Sequence, residues 1–114
     1  MTVREVVDTL KLAVCSGADN LDREVTGGYV GDLLSNVIAN AQSGNVWITM
    51  QVHVNIVAVA VLKELAAIIL VQGREPAEDT LKRAAEEKVT ILASQLSSFE
   101  LAGKLHELGI GKVR

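Results

Sequence analysis

The sequence predicts an α/β fold: a single three-layer domain in which a mostly parallel sheet is flanked by helices. Three observations predict it. Strand-like and helix-like segments alternate along the chain, the pattern of strands joined by right-handed helical crossovers. The segment "AAIILV" at 66–71 is a continuous apolar run of strand length, as expected of a central parallel strand buried on both faces. Hydrophobic residues make up 49% of the 114 positions and aromatic ones only 3%, so the core must be built from β-branched and small aliphatic side chains. A chain of this length fits one domain and one core, expected to span 1–114 with an ordered part of about 2–110.

The elements follow in order. Thr2 with Glu5 three residues on reads as a capping box, opening a helix that runs to about Leu10. Residues 12–14 suit a short strand, and "SGADN" after them is turn chemistry. Residues 24–30 read as a strand interrupted or ended by Gly27 and Gly28. Asp32 is placed to cap a helix whose apolar positions Leu33, Leu34, Val37, Ile38 and Ala41 recur at helical spacing, with Gly44 closing it. "NVWIT" is a strand. Residues 53–65 are rich in Val and Ile, yet Val54, Val57, Val61 and Leu65 recur at helical spacing, which predicts a buried helix.

After "GREP" comes a polar helix over about 77–88. Pro76 suits its first turn, Glu78 and Asp79 suit its positive end, and Glu78 to Lys82 and Asp79 to Arg83 are favourable pairs. "VTIL" is the last strand. Ser97 with Glu100 is a second capping box, opening a helix that ends at Gly109.

Charge and composition exclude several functions. The net charge is −3 with an isoelectric point near 5.3, and no long basic run exists. No nucleic-acid footprint is therefore expected, and Lys104, Lys112 and Arg114 read as a solvated tail. His53, Asn55, Lys63 and Glu64 break the longest apolar stretch, so no membrane span is expected. The N-terminus lacks the apolar core of a signal peptide. The single cysteine, Cys15, cannot form an internal disulfide, which points to a reducing, cytoplasmic setting and an unreactive thiol.

Candidate chemistry gathers after the strands, because open parallel sheets bind ligands outside their carboxyl ends. Gln51, His53 and Asn55 follow "VWIT". Gln72, Gly73, Arg74 and Glu75 follow "AIILV", and Ser94 and Gln95 follow the last strand. Arg74 is the best anion-binding candidate, since a guanidinium matches phosphate bidentately. No phosphate-binding loop, GxGxxG, HExxH or GxSxG motif occurs, so no catalytic residue, metal ligand or cofactor is assigned. An enzyme would have to rely on His53 with a carboxylate such as Asp32.

Asp22, Arg23, Thr26, Gly27 and Gly28, in "DREVTGG", spell the signature for which DRTGG domains are named, and the segment resembles that family. The likeness extends through "GDLLSNVIANAQSGNVWIT", "AAIILVQGREP" and "ILASQLSSFELAGKL". What the resemblance implies is a regulatory, non-catalytic module. Such domains occur in phosphate acetyltransferases and in the regulatory insert of some CBS-containing pyrophosphatases. They look similar to the N-terminal domain of HPr kinase/phosphorylase, which lacks the kinase phosphate loop. A kinase label would be wrong here, since nothing positions ATP phosphates and magnesium. This chain departs from those enzymes in carrying no CBS pair, acetyltransferase or kinase segment of its own.

The signature residues are carried over as ligand-site candidates beside Gln51, His53, Asn55, Arg74 and Ser94. Their alternative role is structural, with Thr26 and the glycines shaping a turn and Asp22 and Arg23 holding it as an ion pair or cap. The expected function is a homodimeric regulatory module that senses an adenine nucleotide or another phosphorylated metabolite. The alternative is an interaction subunit that docks on a metabolic or redox enzyme without a small ligand. The dimer contact is expected at 29–34 and Trp47, where glycines permit close approach and aromatics favour interfaces.

Overall fold

Two clusters of apolar side chains, one on each face of a five-stranded sheet, make up the core. A computed structural model describes residues 1–111. Lys112 and Arg114, read above as part of a solvated tail, lie outside the described residues. The strands are β1 (Ala13–Ser16), β2 (Gly27–Val30), β3 (Asn45–Thr49), β4 (Ala67–Leu70) and β5 (Ile91–Ala93). They lie in the order β1-β5-β4-β3-β2, with β2 to β5 parallel and β1 antiparallel to β5. The predicted architecture holds, and the antiparallel edge accounts for "mostly" parallel.

The helices are α1 (Val3–Leu10), α2 (Leu34–Asn40), α3 (Asn55–Lys63), α4 (Glu78–Glu87) and α5 (Ser98–Glu107). The parallel strands advance one place at a time from β2 to β5. Right-handed crossovers therefore lay α2, α3 and α4 side by side on one face. There Val37, Ile56, Val57 and Ala84 pack on Trp47, Ile68, Leu70 and Ile91. On the opposite face, α1 and α5 bring Val3, Val6, Leu101 and Leu105 onto Val46, Ile48, Ile69 and Leu92. Alternate residues of each strand serve opposite faces, so β3 and β4 are buried throughout, as the unbroken run in β4 implied.

Local chemistry explains most boundaries. Both bonds of the Thr2–Glu5 capping box are made, and the Ser97 hydroxyl accepts from the Glu100 amide. Within 53–65 the predicted helix forms as α3, but its buried stripe is Ile56, Val57, Val59 and Ala60, with Val54 and Val61 left exposed, and Glu64 ends it in the left-handed conformation.

Four expectations are corrected. The double glycine begins β2 rather than ending a strand, because residues ahead of it are held by the N-terminal segment: Val3 donates to the Arg23 carbonyl and Val25 to that of Met1. Asp32 does not cap α2, whose N-cap is Leu33 and has no side-chain bond. Among the described residues, the ion pair on α4 joins Arg83 to Glu86 at 3.5 Å, not Glu78 to Lys82 or Asp79 to Arg83. Trp47 is fully buried, its indole donating to the Gly31 carbonyl at 2.8 Å, so it cannot take part in a dimer contact.

Candidate functional site

The candidate residues separate to opposite ends of the sheet. Asp22, Arg23, Thr26, Gly27 and Gly28 lie at the amino end of the parallel strands, where β2 begins. Gln51, His53, Asn55, Arg74 and Ser94 lie at the carboxyl end, after β3, β4 and β5. They cannot form one site.

At the amino end the signature belongs to a strap. β1 ends beside the start of β5, at one edge of the sheet, whereas β2 forms the other edge. The connection between them passes the starts of β5, β4 and β3 in turn and bonds at each. The Thr90 hydroxyl donates to the Gly17 carbonyl at 3.1 Å, and the Asn20 amide group donates to the Lys88 carbonyl at the end of α4. Arg23 donates to the Glu64 and Leu65 carbonyls at the end of α3. The Thr26 hydroxyl donates to the Ser43 carbonyl at 2.7 Å and accepts from Asn45, while the Thr26 amide donates to the Gly44 carbonyl.

A helix leaves its last carbonyls unpaired and carries partial negative charge there, so a guanidinium is well matched to the end of α3. Asp22 does not pair with Arg23. Its carboxylate accepts from Arg4 Nε at 2.9 Å, tying the strap to α1.

The glycines match this role. Gly27 packs its backbone over Asn45, where an added Cβ would stand 3.1 Å from Nδ2. The tighter requirement falls on Gly44. At φ +82 its Cβ would lie 2.6 Å from the Thr26 methyl, so Thr26 and Gly44 depend on each other.

A cleft of about 500 Å³ opens beside the strap. Asp19, Asp22, Glu64 and Glu87 line it together with Arg23 and Lys88. Acids outnumber bases, and the Arg23 guanidinium is already engaged with carbonyls. That field repels phosphate rather than attracting it.

The carboxyl end is different. The connection after β4 leads to α4 on one face, and the connection after β5 leads to α5 on the other. The neighbouring strands β4 and β5 therefore form a topological switch point, the place where open α/β sheets receive ligands. Gln72, Gly73 and Arg74 stand on one side of it and Ser94 and Gln95 on the other. Backbone bonds join the two sides, from Gln72 to the Leu96 carbonyl and from Gly73 to that of Ser94, each 2.9 Å.

Gln72 adopts φ +57. The other non-glycine residues with positive φ, Lys11, Glu64 and Lys88, cap helix ends, where that conformation is routine. Gln72 caps none, so local strain is held at the switch point. Residue types gave no sign of this.

The predicted rim residues divide further by what occupies them. Ser94 is buried and its hydroxyl accepts from the Leu96 amide. Gln51 donates to the Asp32 carbonyl, and the Asp32 carboxylate accepts from the Thr49 hydroxyl and the Met50 amide, both at 2.8 Å. These groups brace the loops. His53, Asn55 and Arg74 are exposed, and among the described residues their side chains make no hydrogen bond. His53 and Asn55 stand at the start of α3, which has neither a side-chain cap nor an acidic residue in its first turn.

Cys15 is half-buried. Burial, and then the charge of Glu75, push its thiol above the ordinary value, which makes it a poor nucleophile. Among the described residues no group of three or more His, Cys, Asp and Glu is placed to hold a metal ion, and no described helix is long and apolar enough to cross a membrane.

Residues 5–108 match the family model of the DRTGG domain. The chain belongs to the DRTGG domain family. No curated protein matched the sequence. Among solved structures it is similar to the CBS and DRTGG domains of the regulatory region of Clostridium perfringens pyrophosphatase, complexed with the activator diadenosine tetraphosphate. The TM-score is 0.70 at 17% identity, covering 90% of this chain and 44% of that one. This DRTGG domain thus shares the fold and spans less than half of that chain's length.

Proposed function

We propose that this DRTGG domain is a non-catalytic regulatory module that binds an adenine nucleotide or another phosphorylated metabolite, and that it works as a homodimer in the cytoplasm. The observation that carries the reading is the switch point between β4 and β5, where Arg74 stands exposed beside the strained Gln72. Arg74 supplies a guanidinium for phosphate. The start of α3, which follows β3 next to β4, adds the positive end of its dipole with the exposed His53 and Asn55 beside it. The relative's activator, diadenosine tetraphosphate, belongs to the same ligand class.

The other ligand candidates, Asp22, Arg23, Thr26, Gly27 and Gly28, are assigned to holding the fold. Gln51 and Ser94 are assigned to bracing the rim. A catalytic role has little to draw on, since Asp32 is occupied by Thr49 and Met50 and the Cys15 thiol is held protonated. The alternative is an interaction subunit that docks on a metabolic or redox enzyme without a small ligand.

Thermal unfolding with diadenosine tetraphosphate, ATP, AMP and inorganic phosphate separates the two. A ligand at a hundred times its Kd stabilises the native state by about 2.7 kcal/mol, a rise in Tm of roughly 10 °C for a domain of this size. At least one phosphorylated compound is expected to produce such a rise. No shift with any of them at millimolar concentration would remove the ligand-sensing reading in favour of the interaction subunit.

A further inference from the structure

The helices differ in what they show to solvent. α1 carries Arg4, Glu5 and Asp8, α4 carries charged residues along its length, and α5 carries Glu100, Lys104 and Glu107. α2, "LSNVIAN", has no charge, and α3, "NIVAVAVLK", has none before its last residue. A helix face that meets water is normally charged or strongly polar. On α3, Ala58 is exposed, with Val61 46% and Leu62 64% exposed; the neighbouring α2 exposes Ile38 and Ala39.

A groove of about 470 Å³ runs along α3 where α4 packs against it. Val54, Ala58, Val61 and Leu62 form its apolar wall, and Arg83 and Glu87 form its charged rim.

We infer that this α2–α3 face is the seam of the homodimer, with a second copy of the chain as its occupant; the inference rests on the self-association proposed above. Two features point to a copy rather than to an unlike partner. The patch carries both a projecting side chain, Leu62, and a hollow floored by the small Ala58, so each copy supplies what the other receives. Its rim carries one charge of each sign, one turn apart on α4. A two-fold axis through the groove sets Arg83 of one copy, drawn from its exposed 3.5 Å pair with Glu86, against Glu87 of the other, and the reverse pair forms by symmetry. A surface that complements itself in shape and charge is what an isologous contact requires. Ala58 lets the two helices approach closely, and the uncharged α2 widens the contact toward the roughly 1,000 Å² that a specific interface needs. The groove reaches Asn55 at the start of α3, so the seam borders the proposed ligand site without including Arg74.

Sedimentation equilibrium at micromolar concentration tests this with the whole chain. The wild type is expected to be a dimer. Leu62→Glu, at an exposed position, should raise the dissociation constant about 100-fold. Arg83→Glu and Glu87→Arg should each weaken pairing roughly 10-fold, and the two together should restore it. Phe99→Glu, 90% exposed on α5 across the sheet, should leave it unchanged. A monomeric wild type would overturn self-association and this seam together. A wild-type dimer that Leu62→Glu leaves intact, with circular dichroism showing all variants folded, would overturn the seam alone.

Discussion

The two ends of the sheet differ in how their polar groups are spent. At the amino end, Arg23 and Thr26 of the signature are spent on the chain's own carbonyls and Asp22 on Arg4, and the adjoining cleft is acidic. At the carboxyl end, Arg74, His53 and Asn55 are unengaged among the described residues and one backbone position is strained. The difference teaches that a conspicuous motif can be spent on fastening a fold, and the proposed function accordingly puts the ligand at the other end. Bonds already made inside the protein are unavailable to anything outside it.

Substitutions at the two ends should therefore separate stability from binding. The largest effect is expected from Gly17→Ala in the strap. Gly17 has φ +79, and an added Cβ would lie 2.5 Å from the Thr90 Cα. The left-handed conformation and the backbone clash together should cost about 3 kcal/mol in urea unfolding, with ligand affinity unchanged where the protein is folded. Arg74→Ala should do the reverse. It should leave stability within about 0.5 kcal/mol but weaken a phosphorylated ligand by about 1.5–3 kcal/mol, read by titration calorimetry. Equal affinity in that variant would place the site elsewhere.

Arg23→Ala comes next, at about 1–2 kcal/mol of stability, since its bonds to the end of α3 are partly exposed. If Arg23→Ala weakened the ligand and left stability alone, the assignment of the two ends would be reversed. Gln72→Gly should relieve the positive φ and stabilise by about 0.5–1 kcal/mol, less than the full relief because glycine is freer when unfolded. Destabilisation would show that Gln72 holds the rim in place.

The smallest effect concerns acid. Arg4, by its hydrogen bond and then its charge, holds the Asp22 carboxyl below the usual carboxylate range. A depressed folded value stabilises above the unfolded pKa of about 3.9 and is lost as pH falls through the lower folded value. Asp22→Asn should erase that portion of the acid limb in urea midpoints measured from pH 5 downward. An unchanged limb would mean that the exposed pair contributes nothing.

Periodicity and caps made most of the architecture legible. The Thr2–Glu5 box, the helical spacing through 53–65 and the apolar run of β4 all report local physics. What escaped depends on residues far apart in the chain. That β1 runs antiparallel follows from pairing Ala13 with Ala93, and nothing near Ala13 encodes it. The engagement of Arg23 with Glu64 and Leu65, and of Asp32 with Thr49, is likewise non-local. The exposure of Arg74 was legible because residues after a buried strand are exposed by rule, but the strain at Gln72 was not, since glutamine gives no sign of a left-handed backbone. Trp47 was misplaced because composition cannot tell a buried aromatic from an interfacial one.

The strap has a consequence for the order in which the domain can assemble. Its residues leave the ribosome early, but their partners around Gly44, Glu64 and Thr90 emerge later, and β1 waits for β5. The N-terminal quarter thus has little to fold against while it is being made, and such long-range closure slows folding. Nascent chains stalled before β5 is exposed should stay sensitive to protease, and resistance should appear in one step once it clears the tunnel. Gradual resistance from the first helix onward would show that the strap organises itself before its partners arrive.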